Sequence, residues 1–280
     1  MHPHSPERRH LFADQVRSAR PDLALLCLLI GAEADPELDD AGMRAARRIL
    51  DRLADQLAEW LPDRAEGPRS WAVALGELLG ERYGFKGRPG DYQHLQSALL
   101  HEVLRRRRGL PILLSVVWIE VARRAGAPVH GVALPGHFVV GFGAREEQVL
   151  ANPFAGGHVL TDMDAQLLVA GATGAPLVPS MLSPAGPLDI VLRVLNNIRA
   201  WAAVRPERSD VALWAVELSL LLPAHSQRLH YDRAQLLVQR GDFLTGATEI
   251  ELYADALAVT DEEAAARLRQ EAHGARAMLN

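Results

Sequence analysis

The chain has 280 residues, 49% apolar and 23% charged, with a formal net charge of −5. That is enough for one large folded domain or two modest ones, and the acidic excess excludes a general nucleic-acid binder, which needs a basic footprint. The single cysteine, Cys27, excludes an internal disulfide and points to a reducing, cytoplasmic home.

The first region, 1–86, reads as helical. Met1 to His10 is polar and lacks the apolar segment of a signal peptide. Pro21-Asp22 opens an apolar helical run, Leu23 to Ile30, that Gly31 is expected to stop. The run is far shorter than the roughly 20 residues needed to cross a bilayer, so no membrane association is expected. A second helix is predicted from about Asp40 to Trp60, with Ile49, Leu50, Leu53, Leu57 and Trp60 on one face and Pro62 closing it. A third begins near Ser70, carries Leu75, Leu78 and Leu79, and ends near Tyr83-Gly84.

The second region, 87–185, starts with a predicted helix from about Tyr92 to Arg106. Gly109-Leu110-Pro111 interrupts it, and proline suits the first turn of the helix that follows, to Arg124. Then Val129 to Leu134, Phe138 to Phe142 and Gln148 to Leu150 read as short strands separated by Gly and Pro. A buried helix therefore feeds an antiparallel sheet, an α+β arrangement. Residues 171–187, rich in Gly, Pro and Ala, read as a linker. The third region, 188–280, is all helix, in five segments: 188–203, 209–222, 225–240, 243–257 and 261–278. Leu236 to Leu257 spaces Gly241, Ala247 and Ala256-Leu257 as a tetratricopeptide repeat does, and a plain helical bundle is the alternative.

Several strings are specific. Arg106-Arg107-Arg108-Gly109-Leu110-Pro111-Ile112-Leu113-Leu114-Ser115 leads to Glu120-Val121-Ala122-Arg123-Arg124-Ala125-Gly126. Gly131-Val132-Ala133-Leu134-Pro135-Gly136-His137-Phe138 and Asn152-Pro153-Phe154-Ala155-Gly156-Gly157 follow. In that order they resemble the bacterial SirB family, over about residues 70–170 with weaker likeness on both sides. The resemblance implies a papain- or transglutaminase-like core, with a central helix packed on an antiparallel sheet, flanked by N-terminal helices and an all-α C-terminal repeat domain. It also implies a triad in which a cysteine opens the central helix and a histidine and an Asp or Asn follow on strands. By this likeness the triad positions are Pro111, His137 and Asn152, and the first is vestigial because proline has replaced the thiol.

A thiol at a helix N-terminus ionises easily because the helix dipole favours its anion. Proline offers no thiol, hydroxyl or N–H. Ser115, one turn on, is the possible substitute nucleophile; the bland alternative is a small residue where helix and sheet pack closely. Cys27 sits in Leu25-Leu26-Cys27-Leu28-Leu29 and reads as an inert core residue. Ser115, His137, Phe138, Asn152 and Phe154 form the expected ligand pocket, with an Asx-turn as the structural alternative for Asn152. Arg107 and Arg108 are candidate anion contacts within the run Arg105 to Arg108, whose plain alternative is neutralisation of a helix C-terminus.

His225 and His230 are five apart, poorly placed to share a helix face, and no metal or cofactor signature appears. His94 and Ser97 stand where the SirB resemblance calls for Asp and Asn. Together these readings favour a non-catalytic, transglutaminase-like binding or scaffold module for a peptide or protein. The alternative is a hydrolase or acyltransferase using Ser115 with His137 and Asn152.

Overall fold

A computed structural model of the chain describes residues 6–61, 67–145 and 147–278. By proximity of Cα atoms it divides into two compact units. One comprises the residues up to Arg8 together with Ser18–Val194; the other comprises Arg9–Arg17 and the residues from Leu195 onward.

Among the described residues, twelve α-helices run α1 Pro6–Arg17, α2 Leu23–Ala34, α3 Asp40–Trp60, α4 Pro68–Leu75, α5 Leu100–Arg106, α6 Pro111–Arg124, α7 Asp162–Thr173, α8 Pro187–Ala203, α9 Ser209–Leu220, α10 Arg228–Gln239, α11 Phe243–Ala258 and α12 Glu262–Ala277. Five strands, β1 Val129–Val132, β2 Val139–Phe142, β3 Val149–Asn152, β4 His158–Val159 and β5 Pro184–Ala185, pair antiparallel in the order β4-β3-β2-β1-β5.

The first unit is built around α6. Every residue from Pro111 to Ala122 is buried, which is what a helix apolar on all sides requires. Pro111 occupies the first helical turn, where its missing N–H costs nothing. The helix packs on β1 and β2 on one side and against α3 and α5 on the other. Its one buried charge, Glu120, lies a turn from Arg123 and Arg124 and is ion-paired to both. Pairing is needed here because an isolated buried carboxylate would be strongly disfavoured.

The opposite face of the sheet carries Val132, Leu134, Val139 and Leu150, covered by Ala165 and Val169 of α7. This corrects the linker expectation for 171–187. A helix capped by Thr161 and Asp164 ends only at Thr173, and Pro184–Ala185 then joins the sheet beside β1.

Three other expectations change. α2 does not stop at Gly31 but continues to Ala34, because Gly31 makes room for a neighbour: a Cβ there would lie 2.6 Å from His101 Nδ1. The helix predicted from Tyr92 is two 3-10 turns, Pro89–Gln93 and Leu95–Ala98, before α5 begins at Leu100. The third helix opens as α4 and then widens into a π-helix over Gly76–Arg82. Trp60 ends α3 and Pro62 lies outside the described residues.

The five expected C-terminal helices, α8 to α12, are present within a few residues of their predicted ends, the second unit taking α8 from Leu195 onward. Ala234, Ala247, Ile250, Ala272 and Ala275 form one apolar cluster in the second unit, and its four alanines allow close helix approach. α1, placed with the core on sequence grounds, contributes Arg9 to this unit through an ion pair with Glu217 of α9 at 2.7 Å.

Candidate functional site

His137 follows the tight turn at Pro135-Gly136, just before β2, and Asn152 ends the neighbouring strand β3. Pairing of Val140 with Ala151 sets the two strands side by side. As a result His137 Nε2 lies 3.0 Å from Asn152 Oδ1. The same oxygen accepts the Phe154 N–H at 3.1 Å, as an Asx-turn does. An oxygen accepts, so Nε2 carries the proton and the neutral ring presents Nδ1 as its base.

Burial holds the imidazole below its ordinary pKa. The Asn152 hydrogen bond opposes this, and the positive charge of Arg193 adds to it. The lowered pKa favours the uncharged ring near neutral pH.

Phe154 stands edge-on to the imidazole, with ring centroids 6.0 Å apart, and Tyr92 lies 6.3 Å beyond Phe154. Arg193 of α8 donates to the carbonyls of Leu134 at 3.0 Å and His137 at 2.9 Å, and its guanidinium lies 5.6 Å from the Phe138 ring. Burial raises the pKa of Tyr92, with Arg193 opposing. The site thus combines one imidazole base, one amide, one phenyl ring, one phenol and one guanidinium.

Two backbone contacts hold the Asn152 corner. A Cβ on Gly80 would lie 1.8 Å from the Gly156 carbonyl oxygen, so the π-helix meets the turn backbone to backbone. Gly87 lies against Phe154, whose ring would be 1.9 Å from a Cβ there, and the Gly87 N–H donates to the Phe154 carbonyl at 3.0 Å.

Of the expected pocket, His137, Asn152 and Phe154 come together. Phe138 points into the core, 1% exposed. Ser115 is wholly buried, and its hydroxyl donates to the Phe138 carbonyl at 3.4 Å. Pro111 is buried at the start of α6. Cys27 is buried in α2, and its thiol pKa is pushed far up by burial, with the carboxylates of Glu120 and Asp22 adding to the effect.

Arg108, expected as an anion contact, meets its anion within the chain. It donates to the wholly buried Asp91 at 3.0 Å, and that carboxylate also accepts the Arg88 N–H at 2.7 Å. Arg107 turns instead to the Tyr83 carbonyl at 3.2 Å. His225 and His230 do meet, with rings 5.5 Å apart, because His225 lies in the turn before α10 rather than on the helix. No group of three metal-ligating side chains occurs among the described residues.

Arg193 and Tyr92 were missed on sequence grounds. Arg193 lies on a helix read as part of the repeat tail, and Tyr92 at the start of a predicted helix that the structure replaces with 3-10 turns. The one available signal was Pro89-Gly90-Asp91, a turn-forming cluster.

Residues 44–196 match the transglutaminase-like superfamily, and residues 198–280 match a tetratricopeptide repeat family. The chain is 30% identical over 222 residues to a UPF0162 protein of Xylella fastidiosa (strain Temecula1), covering 76% of each. It is 32% identical over 192 residues to a UPF0162 protein of Pseudomonas aeruginosa, covering 68% of each. A shorter likeness, 30% over 112 residues, is to F-box only protein 21 of Mus musculus, spanning 37% of this chain and 18% of that protein. The chain therefore belongs to the UPF0162 family, with a transglutaminase-like region followed by tetratricopeptide repeats.

Proposed function

We propose that this protein is a non-catalytic, cytoplasmic binding or scaffold module of SirB type, in which the transglutaminase-like region holds a ligand cleft and the repeats hold a protein or peptide. The observation that carries the reading is the state of Ser115. Its hydroxyl is wholly buried and already donates to the Phe138 carbonyl. A nucleophile must instead offer its oxygen to both a base and a substrate.

The other two candidate positions support the same view. Proline at the head of α6 carries no reactive group, and the thiol of Cys27 is buried with a raised pKa. The thiolate is the reacting species, so such a thiol is inert. No helix among the described residues is long and apolar enough to cross a membrane, and the single cysteine suits a reducing compartment.

For the peptide-binding role, the second unit has a groove of about 520 Å³ between α8, α9 and α10. Asn196, Gln235 and Gln239 line it with side-chain amides. Asn196 Oδ1 accepts from Arg199 and Gln235 Nε2 donates to Tyr231 and Glu271, so the groups these two leave for an extended peptide's main chain are the Asn196 N–H groups and the Gln235 oxygen.

The competing reading, a hydrolase or acyltransferase using Ser115 with His137 and Asn152, draws support from the neutral, correctly tautomerised imidazole. One experiment separates them: the full chain and the His137→Ala variant are treated with a fluorophosphonate and with iodoacetamide. The binding reading expects no stoichiometric adduct on the native protein. A one-to-one adduct that disappears in His137→Ala would establish the enzyme instead.

A further inference from the structure

In the first unit, α3, the end of α5 and the segment around Tyr83 border a second, open pocket of about 450 Å³ rimmed by exposed arginines, within the range of small-molecule sites. Phe85 and Leu104 give it apolar walls. Among the described residues, Arg52, Arg105 and Arg107 are the charged ones lining it, and no carboxylate does.

Neutralisation of a helix end accounts for arginine in the last turn of α5. It does not reach Arg52, which lies on α3 and has no hydrogen-bond or ion-pair partner among the described residues. Arg105 is held by Glu102 through two hydrogen bonds, at 2.7 and 3.0 Å. Among the described residues, three guanidinium groups less one carboxylate leave two positive charges at the cavity.

Arg107 gives an independent pointer. It is the one non-glycine residue with positive φ, 56°, among the described residues, at a helix end where glycine is the unstrained choice. Its guanidinium donates to the Tyr83 carbonyl at 3.2 Å and lies 5.3 Å from the Tyr83 ring centroid. The backbone thus accepts an unfavourable conformation that a glycine would relieve, and the cavity keeps a fixed cation. Strain held at one place is a mark of a functional position. Beside it, Gln56 accepts the Tyr83 hydroxyl through Oε1, which leaves its amide N–H groups to donate.

We propose that this cavity binds a phosphomonoester carried on a small aromatic or apolar body. The phosphate, at about −1.5 to −2 near neutral pH, matches the two uncompensated positive charges better than a single carboxylate does. Arginine forks suit its oxygens, and Phe85 and Leu104 take the apolar part. The site is separate from His137 and does not depend on whether that site is catalytic.

Calorimetric titration of the full chain with phenyl phosphate, inorganic phosphate, benzoate and phenol tests the assignment. Phenyl phosphate is expected to bind at least about tenfold more tightly than any of the other three, and to weaken as salt is raised. Arg52→Ala is expected to cut its affinity about tenfold. Arg107→Gly removes the cation while relaxing the backbone, so it is expected to fold at least as well as the native chain and still lose affinity by a similar factor. Absence of phenyl phosphate binding at about 10 mM, unchanged affinity in both variants, or equal or tighter binding of benzoate or inorganic phosphate would overturn the proposal.

Discussion

The side chains of His137 and Asn152 meet at 3.0 Å through Nε2 and Oδ1, and this contact decides what the imidazole can do. Asparagine fixes the tautomer but brings no charge to hold an imidazolium.

Replacing the amide by a carboxylate should therefore show in the titration of the ring. In the native chain the His137 C–H resonance is expected to titrate with a midpoint below the ordinary imidazole value, because burial dominates. In Asn152→Asp the midpoint should rise by about one unit or more. A midpoint unmoved by the new carboxylate would show that the two groups do not communicate in solution.

The same shift has a consequence for stability. The folded value lies below the unfolded one, so between them the unfolded chain binds more protons. This contribution is fully present above about pH 6.5 and is lost as pH falls through the folded value. His137→Gln should flatten the pH dependence of urea midpoints in that window. It should not abolish it, because burial also lowers the pKa of His101.

Arg193 ties the turn before β2 to α8 through the Leu134 and His137 carbonyls. Arg193→Met keeps much of the side-chain volume and removes both charged hydrogen bonds. A loss of about 1.5–3 kcal/mol is expected, together with a higher His137 titration midpoint, since a neighbouring positive charge has gone. A variant that loses stability while the midpoint stays put would assign Arg193 a purely structural part.

Gly80 approaches Gly156 too closely for any side chain. Gly80→Ala should cost about 1–3 kcal/mol, as overpacking does, and should displace the Asn152 corner. Thermal unfolding measures the first effect and the His137 resonance reports the second. Gly90, where a Cβ meets open space, serves as the control: Gly90→Ala should leave both unchanged.

Cys27 should resist iodoacetamide at pH 8 in the folded chain and react promptly once urea unfolds it, because its protection is burial alone. Rapid labelling under native conditions would mean that α2 opens readily.

Periodicity made much of this architecture legible. The apolar run of α6 and the regular spacing of the C-terminal helices are local patterns, and local patterns survive in a single sequence. His137 and Asn152 were recognisable because each stands in a short motif of turn residues. What stayed hidden depends on contacts between distant segments. Gly31 reads as a stop signal and is in fact the space in which His101 lies. Arg108 reads as a free anion contact until the fold brings Asp91 to it. β5 is two residues of an apparent linker, and only pairing with β1 makes it a strand.

The sheet ends on both sides in two-residue strands, His158–Val159 and Pro184–Ala185. Proline lacks an N–H, so the outer strand beside β1 has one donor fewer to offer. An incoming extended segment would find almost no main-chain ladder to extend at either margin, and edge-to-edge aggregation is suppressed for the same reason. Under the binding reading proposed above, contact with a ligand falls to side chains, which can be exchanged one at a time without rebuilding the sheet.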